Sequence, residues 1–69
     1  MYRVIVRFEN LDQEYNIASY DIVDGGIIFR HPTSGKKLHL VNDDLKSVQI
    51  SNLLTGEVMT YDPKTGTIT

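Results

Sequence analysis

Residues that reverse a chain recur so often along this sequence that no segment is left long enough for a stable helix. Asn10 to Gln13, Asp24-Gly25-Gly26, His31 to Gly35, Asn42-Asp43-Asp44, Thr55-Gly56 and Asp62 to Gly66 supply the Asn, Asp, Pro and Gly of turns. The pieces between them are ten residues or shorter, whereas an isolated helix needs roughly 12–15 residues. Within the pieces the side chains alternate. Tyr2, Val4, Val6 and Phe8 fall on one face and Arg3, Ile5 and Arg7 on the other, which predicts a half-buried strand from Tyr2 to Glu9.

The same logic carries along the chain. Glu14 to Val23, rich in Tyr and Ile, reads as a second strand in a hairpin with the first. Asp24-Gly25-Gly26 turns it into a third, Ile27 to Arg30, because only glycine adopts positive φ cheaply. After the His31 to Gly35 loop, Lys36, Leu38 and Leu40 alternate with Lys37, His39 and Val41 in a fourth strand, completing a meander.

Asn42-Asp43-Asp44 is suited to cap a short helical turn near residues 42–46, with Leu45 and Val48 on its inner side, before a strand running through Ile50. A final hairpin joins Glu57 to Tyr61 with Thr67 to Thr69 around Asp62-Pro63-Lys64-Thr65-Gly66. Thr55-Gly56-Glu57-Val58 is echoed by Thr65-Gly66-Thr67-Ile68, as successive hairpins of similar length produce by themselves.

The expected fold class is therefore all-β: one domain over residues 1–69, a small antiparallel meander of about six short strands, as a curled sheet or an open SH3-like barrel. In architecture alone, the strand-rich pattern ending in a short turn and a further strand resembles SH3-like and Sm-like barrels and a truncated pleckstrin-like sheet. No motif of those families is present, so the resemblance implies a fold and no function.

Size bears on association. Area scaling gives a chain of this mass about 7,000 Å² of surface buried on folding. If roughly 60% of that is apolar, ~25 cal/mol per Å² yields on the order of 100 kcal/mol. Ordering the chain at ~1.5 kcal/mol per residue costs about the same. Small domains often add disulfides or a structural metal, but Cys is absent and two His cannot complete a tetrahedral site without several carboxylates. Association with a second copy or a partner protein is the remaining device.

Seven Lys and Arg against nine Asp and Glu give a net charge of −2, too mild to select nucleic acid or acidic mimicry. No apolar run exceeds three residues, which excludes a membrane-spanning helix, and Arg3 and Arg7 interrupt the stretch where a leader's apolar core would lie. The expected compartment is the cytoplasm.

Chemistry-bearing patterns are sparse. His31 and His39 flank one loop, and with Asp43 or Asp44 their spacing permits a metal pair; solvent-facing histidines explain it as well. Acids cluster at Glu9, Asp12, Glu14, Asp21, Asp24, Asp43, Asp44 and Asp62, but turns collect acids by bonding their own backbone. Ser19, Ser34, Ser47 and Ser51 lie in no nucleophile elbow, and Gly25-Gly26 lacks the Lys and helix start of a phosphate loop. The chain is accordingly expected to be no enzyme and to hold no cofactor or metal.

Two binding surfaces remain. Ile5, an aliphatic between Arg3 and Arg7 on the polar face, together with Tyr20 and Ile28, is the candidate protein interface. Arg3, Arg7, Arg30, Lys36 and Lys37 are the candidate nucleic-acid stripe, with Tyr2, Tyr15 or Tyr20 as stacking platforms; cations that keep a sheet soluble are the bland alternative. The leading expectation is a non-enzymatic protein-interaction module of the accessory or mobile-element type, self-associating or binding a partner. A small nucleic-acid-binding β-barrel comes second.

Overall fold

In a computed structural model covering residues Met1–Thr69, the chain forms eight strands and one short 3-10 turn. The strands are β1 (Tyr2–Arg7), β2 (Asp12–Ile17), β3 (Tyr20–Val23), β4 (Gly26–Arg30), β5 (Lys37–Val41), β6 (Ser47–Asn52), β7 (Val58–Asp62) and β8 (Thr67–Ile68), with the turn at Asn42–Asp44. No helix is long and apolar enough to cross a membrane. The all-β expectation holds, in two antiparallel sheets ordered β2-β1-β6-β7-β8 and β3-β4-β5.

The segment read as one strand from Glu14 to Val23 is two strands, and the alternation explains the break. In β2 the odd residues face inward, Tyr15 opposite Val4 and Ile17 opposite Tyr2. In β3 the even residues share the face of buried Phe29 and Ile27, Tyr20 opposite Phe29 and Ile22, 37% exposed, opposite Ile27. Ala18 and Ser19 slip the pattern by one, so that the chain leaves one sheet and enters the other with apolar side chains inward in both.

The meander also has one long-range pairing: β6 returns beside β1, with Val48 opposite Val6 and Ile50 opposite Val4. With that pairing β1 becomes an interior strand of the five-stranded sheet, flanked by β2 and β6. The β7–β8 hairpin extends it at one edge.

Nine buried apolar side chains form the core: Val4, Val6, Ile17, Ile27, Phe29, Leu45, Val48, Ile50 and Tyr61. Tyr61 is fully enclosed, and its hydroxyl donates to Asn42 Oδ1 at 2.7 Å. Asn42 therefore satisfies the buried phenol, and the 3-10 turn has no side-chain cap, contrary to the capping role its sequence suggests. The Asn42 backbone N–H is held by Gly25 O at 2.9 Å. Leu45 and Val48 are buried as expected.

Three hairpin loops share one construction. In His31 to Gly35, Asn52 to Gly56 and Asp62 to Gly66, the carbonyl of the first residue accepts the glycine N–H at 2.9, 2.8 and 2.8 Å. Its side chain accepts the N–H two residues on: Thr33 to His31 Nδ1 (3.1 Å), Leu54 to Asn52 Oδ1 (2.9 Å) and Lys64 to Asp62 Oδ1 (2.9 Å). Each closing glycine has φ between 72° and 80°, the left-handed region. The Thr-Gly echo in the sequence marks the end of this turn, and His31 to Gly35 is a third instance.

Candidate functional site

The structure separates the residues of the candidate interface. Ile5 lies on the outer face of the five-stranded sheet, opposite Glu14 on one side and Gln49 on the other. Arg3 and Arg7 flank it, with Arg3 Nε 3.9 Å from Glu14 Oε1 and Arg7 Nε 3.9 Å from Asp12 Oδ2. The immediate neighbours of Ile5 on that face are polar, and the face's other aliphatic, Val58, stands further across the sheet, opposite Ser51.

Tyr20 points inward from β3, its ring edge-on to Tyr2 at 5.1 Å. Burial, then Tyr2 and Glu57, hold its hydroxyl above the ordinary tyrosine range. Ile28 faces outward from the three-stranded sheet between Asp21 and His39. Ile5, Tyr20 and Ile28 thus make no single patch, because β1 and β4 belong to different sheets.

The cationic stripe divides in the same way. Arg30 and Lys37 are directly opposed across β4 and β5, and Lys36 immediately precedes Lys37 on the loop side. Arg3 and Arg7 sit on the other sheet and are the only cations with carboxylate partners. Arg30 Nη1 donates to Gly35 O at 3.0 Å, which fixes the guanidinium over its own loop without neutralising it. Like charges directly opposed on a sheet repel.

His31 and His39 do not meet either. His39 stands opposite Ile28, while His31 accepts two loop N–H groups, and no three metal-ligating side chains converge anywhere.

Where the chain crosses between sheets, a groove of about 510 Å³ opens. Ile17 and Phe29 are nearly buried beneath it and Ile28 is half-buried; Tyr20, Asp21, Arg30 and Lys37 stand around it, with Met1 at one side. Two residues of the apolar set and two of the basic set are therefore brought together at one place. Its volume falls within the roughly 300–1,000 Å³ of ligand-sized clefts.

Beside the groove is an apolar projection that no alternation or motif in the sequence singles out. Leu54 is 89% exposed, Leu53 48% and Met1 64%, and the Leu53 N–H donates to Met1 O at 3.1 Å. The two sister loops carry Pro32-Thr33 and Pro63-Lys64 at the positions of Leu53-Leu54, so the turn itself does not demand leucine. That signal is legible only once the three loops are superposed as one motif. Compared with protein-family models, with curated proteins and with solved structures, the chain matches none of them.

Proposed function

We propose that this chain is a non-catalytic protein-interaction module that holds a partner protein through Met1, Leu53, Leu54 and the adjoining groove. The observation that carries the proposal is the fully presented Leu54 beside Leu53 and Met1, in a loop whose two structural equivalents use polar residues and proline there. Apolar side chains gathered without a structural need are the anchor type of interface residue. The partner is a second copy or a different protein, and the cytoplasm suits a cysteine-free chain that needs no oxidising compartment.

The non-catalytic part rests on the groove's chemistry. Ser19 and His31 both border it, but His31 Nδ1 accepts N–H groups from Thr33 and Ser34, which leaves the neutral ring's proton on Nε2. In that form the imidazole has no free lone pair with which to take a proton from a serine.

The test compares the unaltered chain with Leu53→Ser/Leu54→Ser and, as a control on the other sheet face, Ile5→Lys. Light scattering reports self-association, and affinity capture with mass spectrometry reports other partners. The leucine variant should lose the oligomer or the captured protein, and the Ile5 variant should keep it. If all three chains are monomeric and capture the same proteins, the proposal is wrong.

A further inference from the structure

The groove's charge identifies the partner's chemistry. The two cations that line it, Arg30 and Lys37, have no carboxylate partner, which is true also of Lys36, Lys46 and Lys64, whereas the other sheet pairs Arg3 and Arg7. Arg30 and Lys37 face each other across the strands, an arrangement that an anion set between them would relieve. Arg30 spends one donor on Gly35 O and has the rest of its fork free. One strand repeat away, about 6.6 Å along β4, Ile28 offers an apolar surface, with Asp21 opposite it.

We propose that the groove binds an extended acidic segment of the partner protein, with a carboxylate between Arg30 and Lys37 and an apolar side chain two residues on against Ile28. This rests on the interaction-module reading and adds its specificity. An extended chain places residues i and i+2 on one face at the same spacing as the two rows of the sheet, so the motif is acid-x-apolar. Asp21 repels a second acid at the apolar position.

A nucleic-acid strand fits these observations less well. Tyr20 is packed edge-on against Tyr2, and Tyr15 lies 5.1 Å from Phe29, so neither ring is free as a base-stacking platform. Two cations beside an aspartate are also few for a polyanion whose affinity comes from many phosphate contacts.

Fluorescence anisotropy tests the proposal with four labelled probes: a peptide repeating Glu-Ser-Leu-Ser, the same peptide with Lys for Glu, a peptide repeating Glu-Ser-Ser-Ser, and oligo-dT. The Glu-Ser-Leu-Ser peptide should bind best and weaken with added salt. Arg30→Ala/Lys37→Ala should weaken it about tenfold or more. Asp21→Asn, at an exposed position that the fold does not need, should tighten it and so provides a readout even if the double variant unfolds.

No binding of that peptide at roughly 1 mM, equal binding of the Lys peptide or oligo-dT, or indifference to Arg30→Ala/Lys37→Ala would each overturn the proposal. A captured partner lost with Leu53→Ser/Leu54→Ser but kept with Arg30→Ala/Lys37→Ala would overturn it while leaving the interaction module standing.

Discussion

Asp24-Gly25-Gly26 looks like a turn needing two glycines for one reason, yet only Gly25 has positive φ, at 85°. Gly26 is a buried strand residue paired with Val23 and Val41. A methyl group placed there would run into the Leu40 carbonyl and lie 3.1 Å from His39 Nε2. The carbonyl belongs to the backbone of β5 and cannot turn aside as a side chain can. Gly26→Ala must therefore push β4 and β5 apart.

Overpacking of this kind costs about 1–3 kcal/mol, and a backbone obstacle puts Gly26→Ala near the upper end. The lower chain entropy of unfolded Ala returns about 0.4–1 kcal/mol. The net loss is then about 2–2.6 kcal/mol, or a fall in Tm of roughly 8–21 °C for a domain of this size. At Gly25 a methyl group would meet nothing within 4 Å, and only the left-handed backbone resists substitution. Asn tolerates that backbone better than Ala does.

The two sites should therefore rank substitutions in opposite order. Asn should be milder than Ala at position 25 and harsher than Ala at position 26, as followed by thermal circular dichroism. Gly26→Ala melting with the unaltered chain, or the same ranking at both sites, would refute this reasoning.

Two further predictions concern side chains around the groove. His31→Asn should keep the loop, because Asn52 makes the same contacts in its equivalent, whereas His31→Ala should lose about 0.5–1.5 kcal/mol with its acceptor. Both lose the Tyr15–His31 ring contact, so the difference in Tm between the two variants isolates the hydrogen bonds. Tyr20 has a folded pKa above its ordinary value of 10.0 because burial, Tyr2 and Glu57 disfavour its anion. The unfolded state consequently releases this proton first, so stability is intact below pH 10.0 and falls as pH rises through that value toward the folded pKa. Tyr20→Phe should lessen the alkaline loss measured by denaturant titration. An identical alkaline slope in the variant would show that Tyr20 is not the group responsible.

What the sequence disclosed was local. Tyr2, Val4 and Val6 announce β1 by period alone, and the glycines at positions 25, 35, 56 and 66 mark the reversals they make. The pairing of β6 with β1 has no local signal, because Val48 and Ile50 find Val6 and Val4 across the intervening hairpins. Treating Arg3, Arg7, Arg30 and Lys37 as one stripe assumed that neighbours in a meander share a sheet, and the crossing at Ala18-Ser19 breaks that assumption. The slip was already visible in the irregular polarity of residues 14–23, but a single strand with imperfect alternation reads the same way. Tyr61 gave no hint of its burial, since its partner Asn42 lies nineteen residues away in a turn that looked self-capped.

The same crossing bears on which cations meet carboxylates. On β1, register places Arg3 diagonal to Glu14, the residue opposite Ile5, and places Arg7 opposite Asp12, so both cations meet carboxylates of their own sheet. On β4 and β5, register sets Arg30 against Lys37; Asp21, opposite Ile28, is diagonal to Arg30 as Glu14 is to Arg3, but neither Arg30 nor Lys37 is in an ion pair. Had β2 continued straight into β3 within one sheet, the acids of β2 would have stayed beside the chain that follows it. By passing at Ala18 and Ser19 to a second sheet, the chain leaves those acids behind, opens the groove at the crossing and brings β4 to its wall with an unneutralised arginine. Residues of one chemical kind thereby acquire different surroundings from pairing geometry alone: Arg3 and Arg7 meet carboxylates of their own sheet, and Arg30 and Lys37 meet each other.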